Sequence, residues 1–201
     1  MIKQFIFDLG QVLVKVDLEP FIYQFAKEFK IEPFVLKNSQ NDDAHQDFMM
    51  GKLSGEEFYR MTCDHFNHFV PLDRFKQIWC SMLVGEIEGT ADIVNRLHEK
   101  KYSLSILSNT DPWHFEYCEQ NMPTLQKFNQ KFLSYELKKK KPDHDIFLSV
   151  VQTLGIEAEQ CLFIDDSEKN VESAKNLNFL TIHFQNAEQL QCELKELGIE
   201  L

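Results

Sequence analysis

Several features are scarce or missing in this sequence of 201 residues. It has no apolar run close to the roughly 20 residues that a membrane-spanning helix needs, so we expect no membrane partner. Its cysteines are scattered, odd in number and free of CxxC spacing, which argues against disulfides and a zinc site and favours a reducing cytoplasm. The five cysteines are Cys63, Cys80, Cys118, Cys161 and Cys192.

Cations are also scarce. The sequence has 21 Lys and Arg residues and 32 Asp and Glu residues, which gives a formal net charge of −11. A surface of this charge repels phosphate backbones and anionic lipids, so the sequence predicts no nucleic-acid or membrane partner. A small anionic substrate is still compatible, because local cations, a metal or backbone donors can hold it. The chain enters its first predicted strand almost at once, so we expect no signal or transit peptide.

What is present is the composition of a globular protein, with 43% hydrophobic residues and 18 Phe to fill a core. Predicted strands at 102–107, 132–133, 161–164 and 180–184 alternate with predicted helices. This alternation predicts an α/β fold with a doubly wound parallel sheet and helices on both faces. Residues 17–87 carry only helical patterns, and Asp17 is the predicted N-cap of a helix over Leu18–Phe29. We therefore predict a core of 1–16 and 88–201 with a small helical cap at 17–87.

A short apolar run near the start of the chain ends at a carboxylate. Phe5, Ile6 and Phe7 precede Asp8, and Gly10 follows two residues later. Such a run predicts a buried strand, which we expect to continue through 14–16. An aspartate at the end of that strand would lie at the sheet edge where ligands bind in open α/β folds, so Asp8 is the candidate nucleophile.

Polar groups end two further predicted strands. Asp165 and Asp166 follow the run at 161–164, and they would meet Asp8 at the carboxyl edge of a parallel sheet. Three carboxylates in one place repel one another unless a cation neutralises them, and oxygen ligands suit Mg²⁺. Helix capping is the alternative interpretation of the Asp165-Asp166 pair, but it explains only one of the two.

The Ser108-Asn109-Thr110 turn would bring hydroxyl, amide and backbone donors to the same edge, where they could hold a phosphate oxygen. A simple capping turn is the alternative. Lys141 precedes Pro142, which biases it toward an extended backbone, and it could pair with the phosphate and the nucleophile. The alternative, a solvated basic run, applies well to 138–140.

Four motifs occur along the chain in the order found in the haloacid dehalogenase superfamily, which the sequence resembles over essentially its full length. Each motif alone is weak, whereas four in order are specific. The predicted cap falls where the small helical cap of that family sits, and the sequence is most similar to the DLG-type members, among them sugar-phosphate phosphatases. The motifs are Phe7-Asp8-Leu9-Gly10-x-Val12-Leu13, Leu107-Ser108-Asn109, Lys141-Pro142 with Ile146-Phe147, and Phe163-Ile164-Asp165-Asp166-Ser167-x-x-Asn170 with Ala174.

The resemblance implies a Mg²⁺-dependent phosphatase of a small phosphorylated metabolite. Asp8 would form an aspartyl-phosphate that water then hydrolyses. The implied metal ligands are Asp8, the Gly10 backbone carbonyl, Asp165 and Asp166. The implied phosphoryl-binding residues are Ser108, Asn109 and Lys141. The cap would set specificity. The candidate substrate contacts in the cap are His45, Phe48 and Met49, for which a partly buried amphipathic helix is the alternative. Trp113 and His114, after the second motif, are two further candidates.

Gly10 departs from the family pattern, because phosphatases of this family commonly carry a second aspartate there as general acid. Such an acid contributes about 10²–10⁴-fold, and neither Gly10 nor Gln11 can replace it. Its absence favours a substrate with a relatively acidic leaving oxygen, such as a sugar 1-phosphate or an acyl phosphate. Two alternatives stay open: a weakly active or non-catalytic protein that binds Mg²⁺ or a phosphoryl group, and a dehalogenase. We expect a monomer or a weak homodimer.

Overall fold

The computed structural model describes residues 2–38 and 43–201, and it shows an α/β fold built on a five-stranded parallel sheet. The strands, in chain order, are β1 Gln4–Phe7, β2 Val14–Val16, β3 Leu83–Glu86, β4 Ser103–Ser108, β5 Gln130–Leu133, β6 Cys161–Asp165 and β7 Leu180–His183. The helices are α1 Leu18–Phe29, α2 Pro33–Asn38, α3 Asp43–Met49, α4 Gly55–His65, α5 Leu72–Cys80, α6 Glu88–Glu99, α7 Pro112–Asn121, α8 Ser134–Leu137, α9 His144–Leu154, α10 Glu168–Asn176 and α11 Ala187–Glu196.

The sheet has the strand order β5-β4-β1-β6-β7, with β1 at its centre. Strand β1 pairs in parallel with β4 on one side and β6 on the other, in a register that sets Phe7 beside Ile106 and Ile164. A central parallel strand is covered on both faces, and this is why a wholly apolar run suits it. The predicted doubly wound α/β fold is confirmed, and the carboxyl ends of β1, β4 and β6 meet at one edge.

The first apolar run does not continue as one strand through residues 14–16, so that part of the prediction is wrong. After β1 the chain turns, and the Leu9 carbonyl accepts hydrogen bonds from the amides of Leu13 and Val14. Gln11 has a positive φ of 57° in this turn. Strand β2 then pairs with β3 in a separate antiparallel ribbon.

The segment 17–87 is also not purely helical, because β3 lies inside it. A four-residue strand that contains a glycine and pairs along one edge only leaves little pattern in the sequence. Asp17 is the N-cap of α1, as predicted, and its carboxylate accepts a hydrogen bond from the Glu19 amide at 3.0 Å.

Helices α1 to α5 form one group between β2 and β3, which we call the helical insertion. Its aromatic side chains pack on one another and on α7 of the sheet domain. Phe58 stacks on Phe48 with ring centroids 4.8 Å apart and also contacts Trp79 and Trp113. One apolar cluster therefore runs from the insertion into the main core. The predicted domain bounds of 17–87 for a cap stay a prediction.

Across the ranges 2–38 and 43–201, no helix combines the length and the apolar character that crossing a bilayer would require.

Candidate active site

Three carboxylates meet at the carboxyl edge of the sheet. Asp8 directly follows β1, Asp165 is the last residue of β6, and Asp166 comes next. One oxygen from each of the three side chains lies within 4.8 Å of the others. The strand order brings them together, since β1 and β6 are hydrogen-bonded neighbours.

Lys141 is buried between two of these carboxylates. Its ammonium Nζ lies 2.8 Å from Asp8 Oδ1 and donates to Asp165 Oδ2 at 2.6 Å. The backbone of Lys141 is held by Asn109, whose side-chain amide donates to the Lys141 carbonyl and whose Oδ1 accepts from the Lys141 amide, both at 2.8 Å. The Asn109 side chain is thus committed to positioning Lys141.

Asp165 and Asp166 differ in how far their oxygens are engaged. Asp165 is fully buried, and besides Lys141 it accepts from the Ser167 amide at 2.8 Å and from Asn170 Nδ2 at 3.0 and 3.1 Å. Asp166 is exposed at the mouth of the site. Partial desolvation of its carboxyl group and the neighbouring Asp165 carboxylate raise its pKa.

The charges of the cluster are unbalanced, because one ammonium faces three carboxylates. Burial raises the pKa of Asp8 to about 7, and the Asp165 carboxylate adds to this while Lys141 opposes it. Burial alone would lower the pKa of Lys141, but Asp8 and Asp165 raise it overall, so the lysine stays charged. An oxygen-only donor set with excess negative charge fits a hard divalent cation such as Mg²⁺.

The second predicted motif ends β4 beside this cluster. Ser108 is the last residue of that strand and is buried, with 3% of its surface exposed. Within the described part of the chain, its hydroxyl has no hydrogen-bond partner. The next turn is fixed by Ser134, whose hydroxyl accepts from the Thr110 amide at 3.0 Å. Ser108 thus keeps a free hydroxyl beside the carboxylates.

Four of the five predicted substrate contacts have partners outside the carboxylate cluster. Phe48 and Trp113 belong to the aromatic cluster, and the His45 ring packs edge-on against Trp79 at 4.8 Å. His114 is buried, with Nδ1 2.8 Å from Asp111 Oδ2. Their roles in substrate binding stay predictions.

A pocket of about 200 Å³ adjoins Lys141 instead. Its walls come from the end of α3 and from the residues around the third motif. The sequence indicated Met49 on α3, but it did not indicate Gln46 or Met50. A larger concavity of about 440 Å³ lies on the surface beside α6, and Asp8, Lys141, Asp165 and Asp166 are not among its lining residues. The lining of the smaller pocket is Gln46, Met49, Met50, Asn109, Ser134, Lys140, Lys141 and Pro142.

The model of the haloacid dehalogenase-like hydrolase family matches residues 5–184, and the chain belongs to that family. A D-ribitol-5-phosphate phosphatase from Bacteroides thetaiotaomicron is 27% identical over 201 residues, which cover 96% of this chain and 97% of the relative. The family prediction made from the motifs is confirmed.

Two solved structures of similar proteins extend over nearly the whole fold. A haloacid dehalogenase family enzyme from Bacteroides thetaiotaomicron, in complex with magnesium and inorganic phosphate, is 30% identical with a TM-score of 0.84. The alignment covers 92% of this chain and 96% of that one. A haloacid dehalogenase-like family hydrolase from Porphyromonas gingivalis is 26% identical, with a TM-score of 0.84 and full coverage of both chains.

Proposed function

We propose that this protein is a Mg²⁺-dependent phosphatase of a small phosphorylated metabolite. The observation that carries the proposal is the convergence of Asp8, Lys141, Asp165 and Asp166 at one sheet edge. The similarity to a sugar-alcohol phosphatase and to an enzyme that binds magnesium and phosphate supports it.

Asp8 acts as the nucleophile in this proposal. Its carboxylate forms a bond to phosphorus while the bond from phosphorus to the ester oxygen breaks, which gives an aspartyl-phosphate and an alcohol. Lys141 holds the carboxylate and balances part of the charge that gathers on the phosphoryl oxygens. The free hydroxyl of Ser108 donates to one of those oxygens. Water then attacks the phosphorus of the aspartyl-phosphate, the bond from phosphorus to the Asp8 oxygen breaks, and inorganic phosphate leaves the restored carboxylate.

The metal would be held by Asp8, Asp166 and the Gly10 backbone carbonyl, with Asp165 behind them. We assign the direct contact to Asp166, because the Asp165 oxygens already accept from Lys141, Ser167 and Asn170. When bound, Mg²⁺ supplies positive charge that offsets the excess carboxylate and orients the phosphate. Asn109 acts through Lys141, so it is a positioning residue.

The leaving oxygen needs a proton that neither Gly10 nor Gln11 supplies. The Gln11 side chain points away, since its Nε2 donates to the Val16 carbonyl at 2.9 Å. A substrate with an acidic leaving oxygen, such as a sugar 1-phosphate, avoids this need. A polyol phosphate, such as the one in the name of the D-ribitol-5-phosphate phosphatase, is the second candidate. With that substrate, water must donate the proton to the leaving oxygen.

A panel of phosphate esters with graded leaving-group pKa, assayed with Mg²⁺ and again after chelation, tests the proposal. We expect hydrolysis that requires the metal, disappears in Asp8→Asn and rises steeply as the leaving group becomes more acidic. A rate that does not change with leaving-group pKa would contradict the inference, drawn from Gly10, that the substrate has an acidic leaving oxygen. Phosphate binding without turnover would favour the non-catalytic alternative, and metal-independent release of halide from a 2-haloacid would favour a dehalogenase.

The setting of the enzyme is part of the same proposal. We propose the cytoplasm as its compartment, because the cysteines stand as free thiols and four of the five are buried. We also propose a monomer or weak homodimer with no nucleic-acid partner, consistent with a net charge of −11. Sedimentation at several protein concentrations tests the oligomeric state.

A further inference from the structure

We propose that Gln46 and Lys140 form the subsite that recognises the leaving group of the substrate, which would carry a hydroxyl or carboxylate oxygen a few bonds from the phosphate. The inference rests on the proposed phosphatase function. Both residues line the pocket beside Lys141, Gln46 from α3 of the helical insertion and Lys140 from the loop before α9.

The pocket wall contributed by α3 is held firmly against the sheet domain. Ser134 donates a hydrogen bond from its hydroxyl to the Met49 carbonyl at 2.7 Å. Gly51, just after α3, has a φ of +62°, and a Cβ there would come within 2.1 Å of the Tyr135 carbonyl oxygen. Glycine permits this close approach, and together with the Ser134 bond it holds the end of α3, and with it the pocket wall that includes Gln46, against the sheet domain.

Most polar side chains of the pocket already have partners. The Asn109 amide binds the Lys141 backbone, and the Ser134 hydroxyl lies between the carbonyls of Met49 and Thr110. Lys141 is committed to the carboxylates. Within the part of the chain that the structure describes, Gln46 and Lys140 are the pocket residues whose polar side-chain atoms make no hydrogen bond or ion pair.

The chemistry of this pair limits the ligand. An amide offers a donor and an acceptor, and an ammonium offers donors only, so together they suit an oxygen acceptor. Met49 and Pro142 supply apolar walls for a short carbon chain. A pocket of about 200 Å³ is smaller than the 300–1,000 Å³ typical of sites for drug-sized ligands, which favours a short sugar, polyol or hydroxy-acid phosphate over a nucleotide.

The test compares phosphate monoesters of matched length: propyl phosphate, glycerol 3-phosphate and 3-phosphoglycerate, each with Mg²⁺. We expect wild type to favour at least one oxygenated ester over propyl phosphate by about tenfold in kcat/KM, because that ester gains a hydrogen bond to a charged group. Lys140→Met and Gln46→Leu should lose most of that preference, mainly through KM. Glycerol 3-phosphate and 3-phosphoglycerate separate hydroxyl from carboxylate recognition.

Lys138→Met is the matched control, because it removes the same charge from an exposed residue that does not line the pocket. It should keep the wild-type preference. Equal losses on all three esters in Lys140→Met, or no preference in wild type, would overturn the subsite. Hydrolysis of p-nitrophenyl phosphate with Mg²⁺ reports on the proposed function separately, so a failed preference with retained hydrolysis rejects the subsite alone.

Discussion

The sheet edge and the helical insertion place their functional groups in different ways. At the sheet edge, Asp165 and Lys141 each have several polar partners, so position and charge depend on hydrogen bonds. In the insertion, position depends on aromatic packing, as where Phe58 lies against Phe48. Charge pairing therefore positions the side chains of the sheet edge, and packing positions those of the insertion. Substitutions in the two regions should have different effects.

The largest effect is expected from Lys141→Met. This change leaves Asp8 and Asp165 buried without their ammonium, which should lower the free energy of unfolding by about 3–5 kcal/mol. Aryl-phosphate hydrolysis should also fall by at least about 10³-fold, because charge stabilisation at the phosphoryl group is lost. Urea unfolding and initial rates with Mg²⁺ measure the two losses.

Lys139→Met serves as the control for this change. Lys139 bonds the Ser149 hydroxyl at 2.7 Å rather than a carboxylate of the site. It should leave both measurements close to wild type. Similar losses in the two variants would show that general charge, and not the pairing at the sheet edge, is responsible.

The insertion should respond differently to Phe58→Ala. Phe58 is fully buried, and its removal leaves a cavity that costs about 3–5 kcal/mol of unfolding free energy. The folded fraction should retain its kcat, because no charged group of the site is touched. Tyr23→Ala, on an α1 side chain that is 65% exposed, is the matched aromatic control and should change stability by about 0.5 kcal/mol or less. A loss of kcat in folded Phe58→Ala would mean that packing and chemistry are not separable.

The same contrast explains what the sequence could predict. The carboxylates of the sheet edge were predictable, because Asp8, Asp165 and Asp166 each end or follow a strand and parallel strands end on one side. Lys141 comes after helix α8 instead, and it was predicted from its motif with Pro142. The α3 wall was predictable only in part: Met49 was among the candidates, but on the same short helix Phe48 was preferred to Gln46. Which of them faces the pocket is decided by packing against Phe58, ten residues further along the chain. Strand β3 was missed for a related reason, since only its partner β2 specifies it.

One buried charge pair links the two regions. His114 of α7 has Nδ1 2.8 Å from Asp111 Oδ2 and Nε2 3.0 Å from the Trp79 carbonyl in α5. Both partners are acceptors, so both ring nitrogens donate and the ring is an imidazolium. Burial opposes the charges on both members. Mutual attraction and hydrogen bonding still raise the pKa of His114 and hold the pKa of Asp111 below its usual value.

The pH dependence of His114→Gln tests this link. The His114 contribution is complete below its ordinary pKa of 6.5 and is lost as pH rises through the raised pKa. The Asp111 contribution is present above 3.8 and is lost as pH falls through the lowered pKa. Between pH 3.8 and pH 6.5, the free energy of unfolding of the variant should therefore be about 3 kcal/mol below that of wild type. At alkaline pH this difference should be smaller.

Three neighbouring groups do not contribute to this pH dependence, because burial raises their pKa values and keeps them neutral over the range: the thiols of Cys80 and Cys118 and the Tyr135 hydroxyl. Urea unfolding from pH 4 to pH 9 follows the difference between the two proteins. A difference that does not change with pH would show that His114 is neutral and that its role is packing alone.

The smallest effect, and the only gain, is expected from Gly10→Asp. Gly10 has no positive φ, and a Cβ there would meet only Val16 Cγ2, at an ordinary 3.6 Å, so the fold does not require glycine. A carboxyl group at this position could donate a proton to poor leaving groups. Because the added side chain starts toward Val16, we expect the rate of alkyl-phosphate hydrolysis to rise by about tenfold, which is below the usual range for a general acid.

The rise in rate should appear with alkyl phosphates and not with p-nitrophenyl phosphate. Gly10→Ala should show no rise with either type of substrate. An equal change on both substrate types would mean that leaving-group protonation does not limit this site, and the substrate argument from Gly10 would fall with it.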